Sequence, residues 1–194
     1  MSMFHEGNRQ LQQRFNSTKL ADRIAEGFVR TSFNDADKAF IESLSFFFLA
    51  TASAGGAPDC SFKGGLPGIA RVVAPDLLVF PDFDGNGMFK SLGNMISNPQ
   101  VGMLFIAMTD TPDRLRINGR AAVSFDDPMI GTFAGAQALV RVTPEYIFPN
   151  CSRYIPNLKT GEVSAYAPCA GVAPLEPEWK SLESIKDVVP PRKA

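Results

Sequence analysis

Polar side chains at every second position near the middle of the chain point to an anion-binding strand. Arg114, Arg116, Asn118 and Arg120 alternate with apolar residues, which is the period of a strand with one buried face. Three like charges on one strand face repel one another unless an opposite charge neutralises them. The pattern favours a bound phosphate or a partner's carboxylates, although a strand that faces water also tolerates it.

A glycine-rich turn followed by a short helix is a second candidate site for an anion. Gly85-Asn86-Gly87 leads into a predicted helix that runs to about Ile96, with Lys90 and Ser91 near its start. The first N–H groups of such a helix have no partner within it and can bind a phosphate. The alternative is a tight turn with a solvated lysine.

A third candidate is Lys63, which ends a predicted strand and is followed by Gly64 and Gly65. Glycines at such a position let a flat ligand or another backbone approach closely. The alternative is an edge lysine that prevents strand-to-strand aggregation.

The sequence gives little support for other common kinds of catalytic or metal-binding site. The only histidine is His5, and the three cysteines have no C-x-x-C spacing, so a Ser-His-Asp triad and a zinc site are not expected. Residues 82–87 imitate the start of an EF-hand loop, but the twelfth position is Gly93 instead of the bidentate glutamate. We therefore expect no metal, and no side chain is singled out for proton transfer, so the catalytic residues are unknown.

The elements that must position these residues are mostly short strands. Two helices come first, one over 17–30 with Leu20, Ile24 and Phe28 on one face, and one that begins at Asn34. A further helix is predicted over 128–137, and the chain beyond 159 is expected to be irregular with a short helix near Trp179. Strands are predicted over 46–51, 57–62, 69–73, 77–80, 101–106, 114–125, 139–142 and 145–148.

Composition limits the class of protein. The 194 residues are 45% hydrophobic and 20% charged, with a net charge of −1, which is ordinary for a soluble domain. This balance does not favour a general nucleic-acid or membrane-binding surface. No signal-peptide or membrane-spanning stretch is present, and we expect a cytoplasmic protein. Short strands at hairpin spacing favour an antiparallel barrel or sandwich over a parallel sheet.

Taken in order, the motifs of residues 46–123 resemble a known family. The chain is similar to the flavin-nucleotide-binding branch of the pyridoxamine 5′-phosphate oxidase-like split barrels. The resemblance is carried by the segments Phe47–Thr51, Pro58–Gly65, Pro67-Gly68 with Arg71-Val72, Phe80–Asp82 with Gly85-Asn86, Asn98–Gly102 and Leu115–Ala121.

The resemblance implies a mainly β (α+β) fold, a six-stranded antiparallel split β-barrel with peripheral helices. It implies a homodimer that binds FMN between its subunits, with the ring against strand backbone. The domains are then N-terminal helices over 1–44, the FMN-binding barrel over 45–158, and an arm over 159–194 packed on the barrel. Carried over by position, the cofactor-binding residues are Ser61, Lys63, Gly64, Asn86, Lys90, Ser91, Arg114 and Arg116.

The resemblance also limits the activity. The Ser-Arg-Lys sequence of true pyridoxamine phosphate oxidases is replaced by Asn86-Gly87-Met88, so the vitamin B6 reaction is not assigned. The leading hypothesis is an FMN-dependent oxidoreductase of unknown substrate. The alternatives are a flavin- or haem-binding module without turnover, and a dimerisation domain without cofactor. A deazaflavin fits the same pattern as FMN.

Overall fold

The computed structural model describes residues 3–110, 112–168, 170 and 175–191. The chain divides into two compact units. One comprises 30–107 and 113–150 and carries all of the strands, and the other comprises 1–29, 108–112 and 151–194. Each unit is described by itself.

The larger unit is an antiparallel sheet of seven strands, not six. Its strand order is β2-β1-β5-β6-β7-β4-β3, and all pairings are antiparallel. The chain turns at Gly68, where φ is +81°, and then forms the short edge strand β3, which overlaps the strand predicted over 69–73. The strands are β1 (Phe46–Ala52), β2 (Pro58–Gly64), β3 (Arg71–Ala74), β4 (Leu77–Phe83), β5 (Gln100–Ile106), β6 (Arg114–Ser124) and β7 (Ala136–Pro149).

The described residues form four α-helices, and two of these have a side-chain capping box at their start. They are α1 (Glu6–Arg14), α2 (Thr18–Phe28), α3 (Asp35–Ser43) and α4 (Lys90–Ser97). The predicted cap of α3 is confirmed, because the Asn34 side chain accepts a hydrogen bond from the N–H of Asp37. Sequence reasoning missed α1, which begins at His5 with a side-chain capping box to Asn8.

The period-2 pattern of β6 is confirmed, with Leu115, Ile117 and Ala121 buried. Phe125, expected on the same buried face, lies beyond the strand and is exposed.

The helix predicted over 128–137 is wrong. That segment contains only a 3₁₀ turn over Ile130–Thr132, and β7 already begins at Ala136. Gly135 has a φ of +80°, which interrupts a helix and starts the strand. The two short strands predicted after it are one continuous strand. The Arg71 guanidinium covers the Phe133 ring at 3.8 Å and packs this segment against β3.

The core of the larger unit lies inside the curved sheet. Phe47, Phe80 and Phe105 are almost fully buried, and their ring centroids are 5.1 and 5.2 Å apart in the two contacts that Phe47 makes. Ahead of the sheet, a bidentate Arg30–Asp37 ion pair holds the start of α3, and Arg30 also bridges to Ile147 of β7.

The smaller unit joins the first two helices to the C-terminal segment. Arg9 of α1 pairs with Asp22 of α2 at 2.6 Å, and Arg23 of α2 pairs with Asp187. Near Trp179 the chain forms a 3₁₀ turn, Glu178–Ser181, where a short helix was predicted. The packing of residues 159–194 on the barrel stays a prediction.

Candidate functional site

A cavity of about 510 Å³ lies between β2 and β4, and we call it the seam cavity. β2 is one edge of the sheet and β4 is the sixth strand in the order, so the sheet must curve to bring them together. The volume lies within the roughly 300–1,000 Å³ of small-molecule and cofactor sites. Six of the eight predicted cofactor-binding residues line it, namely Ser61, Lys63, Gly64, Asn86, Lys90 and Ser91.

One end of the seam cavity carries groups that can bind an anion. The Ser61 hydroxyl lies 3.0 Å from the Ser91 hydroxyl, and Ser91 is only 6% exposed. Lys90 is the first residue of α4, and the residue before it, Phe89, makes no side-chain cap. The first N–H groups of α4 are therefore left for a ligand, with one ammonium and two hydroxyl groups beside them.

The conformation of the loop before α4 depends on one asparagine side chain and on two residues with positive φ. The Asn86 side-chain oxygen accepts a hydrogen bond of 3.0 Å from the N–H of Met88. Gly87 has a φ of +74°, and Phe89 adopts the left-handed region at φ +47°, which is unusual for an aromatic residue. The turn aims the start of α4 into the cavity. One role of Asn86 is thus to shape this loop.

Two side chains that sequence reasoning missed shape the middle of the cavity. The Asp82 carboxylate of β4 lies 3.8 Å from the Lys63 ammonium of β2. Gln137 donates a hydrogen bond of 2.9 Å to Asp82 and another of 3.1 Å to the carbonyl of Phe83. Asp82 belongs to the segment that imitates the start of a calcium-binding loop. Nothing in the sequence indicated a role for Gln137, which was predicted to end a helix.

Arg114 and Arg116 lie elsewhere. With Asn118 they line a second cavity of about 430 Å³ that shares no lining residue with the seam cavity. The Arg116 guanidinium lies 5.3 Å from the Phe148 ring centroid. Within one chain, the structure therefore does not bring the two arginines together with the other six predicted residues.

The second cavity belongs to what we call the outer face, the side of β2, β1, β5 and β6 that points away from the core. The strand registers align its residues in rows across the sheet. One row consists of three small residues and one asparagine, and the next is large and apolar with one arginine. The rows are Cys60, Ala50, Gly102 and Asn118, and then Phe62, Phe48, Leu104, Arg116 and Phe148.

Comparison with known proteins identifies the class to which this fold and cavity belong. Residues 33–151, more than half of the chain, match the family model described as pyridoxamine 5′-phosphate oxidase. The chain belongs to this family. The matched range contains every strand of the sheet and α4.

Several solved structures are similar to the chain at low sequence identity. HupZ from Group A Streptococcus is 16% identical, with a TM-score of 0.48, over 68% of this chain and 98% of that one. A putative pyridoxamine 5′-phosphate oxidase from Lactobacillus delbrueckii is 18% identical, with a TM-score of 0.48, over 61% and 95%. An FMN-binding protein from Syntrophomonas wolfei is 12% identical, with a TM-score of 0.45, over 75% and 96%. No curated protein matches the chain.

Two further observations concern metals and membranes. Among the described residues, no three His, Cys, Asp or Glu side chains gather in a way that could hold a metal ion. In the same part of the chain, no helix is long and apolar enough to cross a membrane.

Proposed function

We propose that this protein binds FMN in the seam cavity and acts as a flavin-dependent oxidoreductase. The observation that carries the proposal is the uncapped start of α4, which shares one cavity with Lys90, Ser91 and Ser61. This set suits a phosphate, because it offers backbone N–H groups, hydroxyl groups and one ammonium. Family membership supports the same cofactor.

The rest of the cavity suits the remainder of the cofactor. Gly64 presents backbone without a side chain, and Phe62 and Met88 give the rim an exposed apolar character. A flat ring can lie against such a surface. Bound FMN would supply the hydride or electron transfer, and the protein would supply orientation and charge.

The proposal includes a homodimer that associates through the outer face. Phe46 and Phe62 stack with centroids 5.2 Å apart, and Phe62 is 61% exposed. Accessible aromatic residues on one sheet face, here an exposed Phe62 beside the half-buried Phe46 and Phe48, are typical of an interface. In such a dimer, Arg114 and Arg116 of one copy would reach the cofactor of the other. We expect more than about 2,000 Å² to be buried in total.

Mass spectrometry of the ligand released from native protein tests the cofactor. FMN supports the proposal, a porphyrin favours the haem-binding alternative, and a deazaflavin would change the cofactor. If the protein neither carries nor rebinds any of these ligands, the proposal is wrong. Bleaching by NADH or NADPH, compared with dithionite, then separates an enzyme from a binding module.

Binding measurements test where the phosphate lies. Wild-type protein should bind FMN roughly 10- to 100-fold more tightly than riboflavin, which lacks the phosphate. Lys90→Met and Ser91→Ala should reduce this preference. Lys38→Met is the matched control, because Lys38 is an exposed lysine of α3 that lines neither cavity. An unchanged preference in both site variants would place the phosphate elsewhere.

A further inference from the structure

The Lys63–Asp82 pair joins two strands that do not hydrogen-bond to each other. The Lys63 ammonium and the Asp82 Oδ1 atom are 3.8 Å apart, which is too long for a direct hydrogen bond. The side chains are 22% and 13% exposed. Charges this far removed from water are costly unless hydrogen bonds compensate them. Both groups line the seam cavity, so a ligand there can supply those bonds.

Asp82 is held in place by its other oxygen. Gln137 donates to Asp82 Oδ2 at 2.9 Å and fixes its own position by donating to the Phe83 carbonyl. The Oδ1 atom, which faces Lys63, remains available as an acceptor. The cavity therefore presents a donor and an acceptor side by side, and the hydrogen bond from Gln137 holds the acceptor in place.

The pair lies a short distance from the anion-binding end. Lys63 is two residues beyond Ser61 on the same face of β2, a separation of about 7 Å along the strand. A ligand whose phosphate contacts Ser61 and Ser91 thus brings the atoms next to its phosphate to Lys63 and Asp82. The negative charge of Asp82 keeps a second phosphate away from this position.

We propose that Lys63 and Asp82 together bind a hydroxyl group in the chain next to the ligand's phosphate, so that the cavity selects a phosphorylated polyol. The inference rests on the proposed function and names the part of FMN, the ribityl chain, that the pair recognises. A hydroxyl group accepts and donates at once, so it can accept from Lys63 and donate to Asp82 Oδ1. An apolar chain would leave the Lys63 ammonium and the Asp82 Oδ1 atom without a hydrogen-bond partner.

The test compares FMN with an analogue in which an unsubstituted pentyl chain replaces the ribityl chain. Protein stripped of ligand is titrated with each compound, and fluorescence quenching gives the dissociation constants. Wild-type protein should bind the analogue roughly 10- to 100-fold more weakly than FMN. Asp82→Ala and Lys63→Met should bind the two compounds within about threefold of each other. Asp84→Ala removes another carboxylate of the same cavity and should keep the wild-type preference.

The outcomes separate this inference from the proposed function. Equal binding of both compounds to wild-type protein would overturn the hydroxyl assignment while FMN binding stood. A preference that survives in both Asp82→Ala and Lys63→Met would overturn it as well. Failure of wild-type protein to bind FMN would overturn the proposed function and this inference together. The wild-type comparison needs no variant, so it decides the question even if a variant fails to fold.

Discussion

The Asn94 side chain of α4 donates a hydrogen bond of 2.9 Å to the Thr51 hydroxyl of β1, and both residues are buried. Asn94 follows Ser91 by one helical turn, so both side chains lie on the same face of α4. Ser91 meets β2 through Ser61, and Asn98 donates to the Ser53 carbonyl at 3.3 Å. These bonds fix α4 to the sheet, and with it the end of the seam cavity that we assign to phosphate.

Asn94→Ala should lower the free energy of unfolding by about 1–3 kcal/mol, since it removes a buried hydrogen bond and leaves the Thr51 hydroxyl without a partner. It should also weaken FMN binding, because the start of α4 loses its support. Urea unfolding and FMN titration measure the two effects. Asn98→Ala is the control and should cost less, because Asn98 is only half-buried and its two side-chain hydrogen bonds, to the Ser53 carbonyl and from the Gln100 N–H, are longer at 3.3 and 3.2 Å. Equal losses in the two variants would contradict this role for Asn94.

Gly119→Ala should destabilise the sheet by about 1–3 kcal/mol or more, because a side chain there is overpacked. A Cβ atom at Gly119 would lie 2.4 Å from the Thr143 carbonyl oxygen, at the point where the register between β6 and β7 shifts. The obstacle is backbone, which cannot rotate away. Thermal or urea unfolding measures the loss.

Gly102→Ala is the matched control for this prediction. Gly102 is also a strand glycine, but the nearest atoms to its Cβ position are side-chain atoms at 3.5 and 3.6 Å, which is ordinary contact. We expect a change within about 1 kcal/mol. If Gly119→Ala proves as mild as Gly102→Ala, the close approach at the bulge does not constrain the fold.

The elements predicted best are those whose signal is local. The alternation in β6 and the cap at Asn34 depend on neighbours in sequence, and both are present in the structure. The helix predicted over 128–137 failed because Gly135 and the pairing of β7 with β4 and β6 override local propensity. The hairpin of β3 and β4 is also local, and it matches the strands predicted over 69–73 and 77–80.

The candidate site was harder to predict than the secondary structure, because its residues are brought together by contacts between segments that are far apart in sequence. Ser61 and Lys63, which the resemblance assigns to the cofactor, both line the cavity with Lys90 and Ser91. The Lys63–Asp82 pair and the contact to Gln137 could not be predicted, because they need the sheet to curve until β2 approaches β4. The assignment of Arg116 to the cofactor stays a prediction that requires a second copy of the chain.

Arg116→Ala should weaken FMN binding by about 1.5–3 kcal/mol, the range for loss of a charged hydrogen bond. The effect should appear only at protein concentrations where the dimer forms, because Arg116 is on the outer face and does not line its own chain's seam cavity. FMN titrations at several protein concentrations, with light scattering to give the mass, test this. Arg120→Ala removes an arginine two rows further along β6 and is the control. A 21.0 kDa particle at every concentration would rule out the dimer.

Asp127 links the start of the 127–133 turn to β7. Arg141 donates two hydrogen bonds to its carboxylate, at 2.6 and 3.1 Å, and the Asp127 side chain is only 6% exposed. The Arg141 guanidinium, with help from the Met129 N–H, holds the pKa of Asp127 below its ordinary value. A carboxyl whose pKa is lowered by folding stabilises the folded state most when it is ionised in both states.

Asp127→Asn should therefore lower the free energy of unfolding at neutral pH by about 1–2 kcal/mol, since it weakens a hydrogen-bonded ion pair that water only partly reaches. The difference in the free energy of unfolding between wild type and Asp127→Asn should be constant above the unfolded pKa of about 4. It should shrink as the pH falls below that value, because Asp127 takes up a proton in the unfolded chain before it does so in the folded one. Urea unfolding of both proteins between about pH 7 and pH 3 measures the difference. Asp126→Asn, which removes the neighbouring exposed carboxylate, should leave the wild-type pH dependence in place. A difference between wild type and Asp127→Asn that stays constant down to about pH 3 would show that the ion pair does not couple the Asp127 proton to folding.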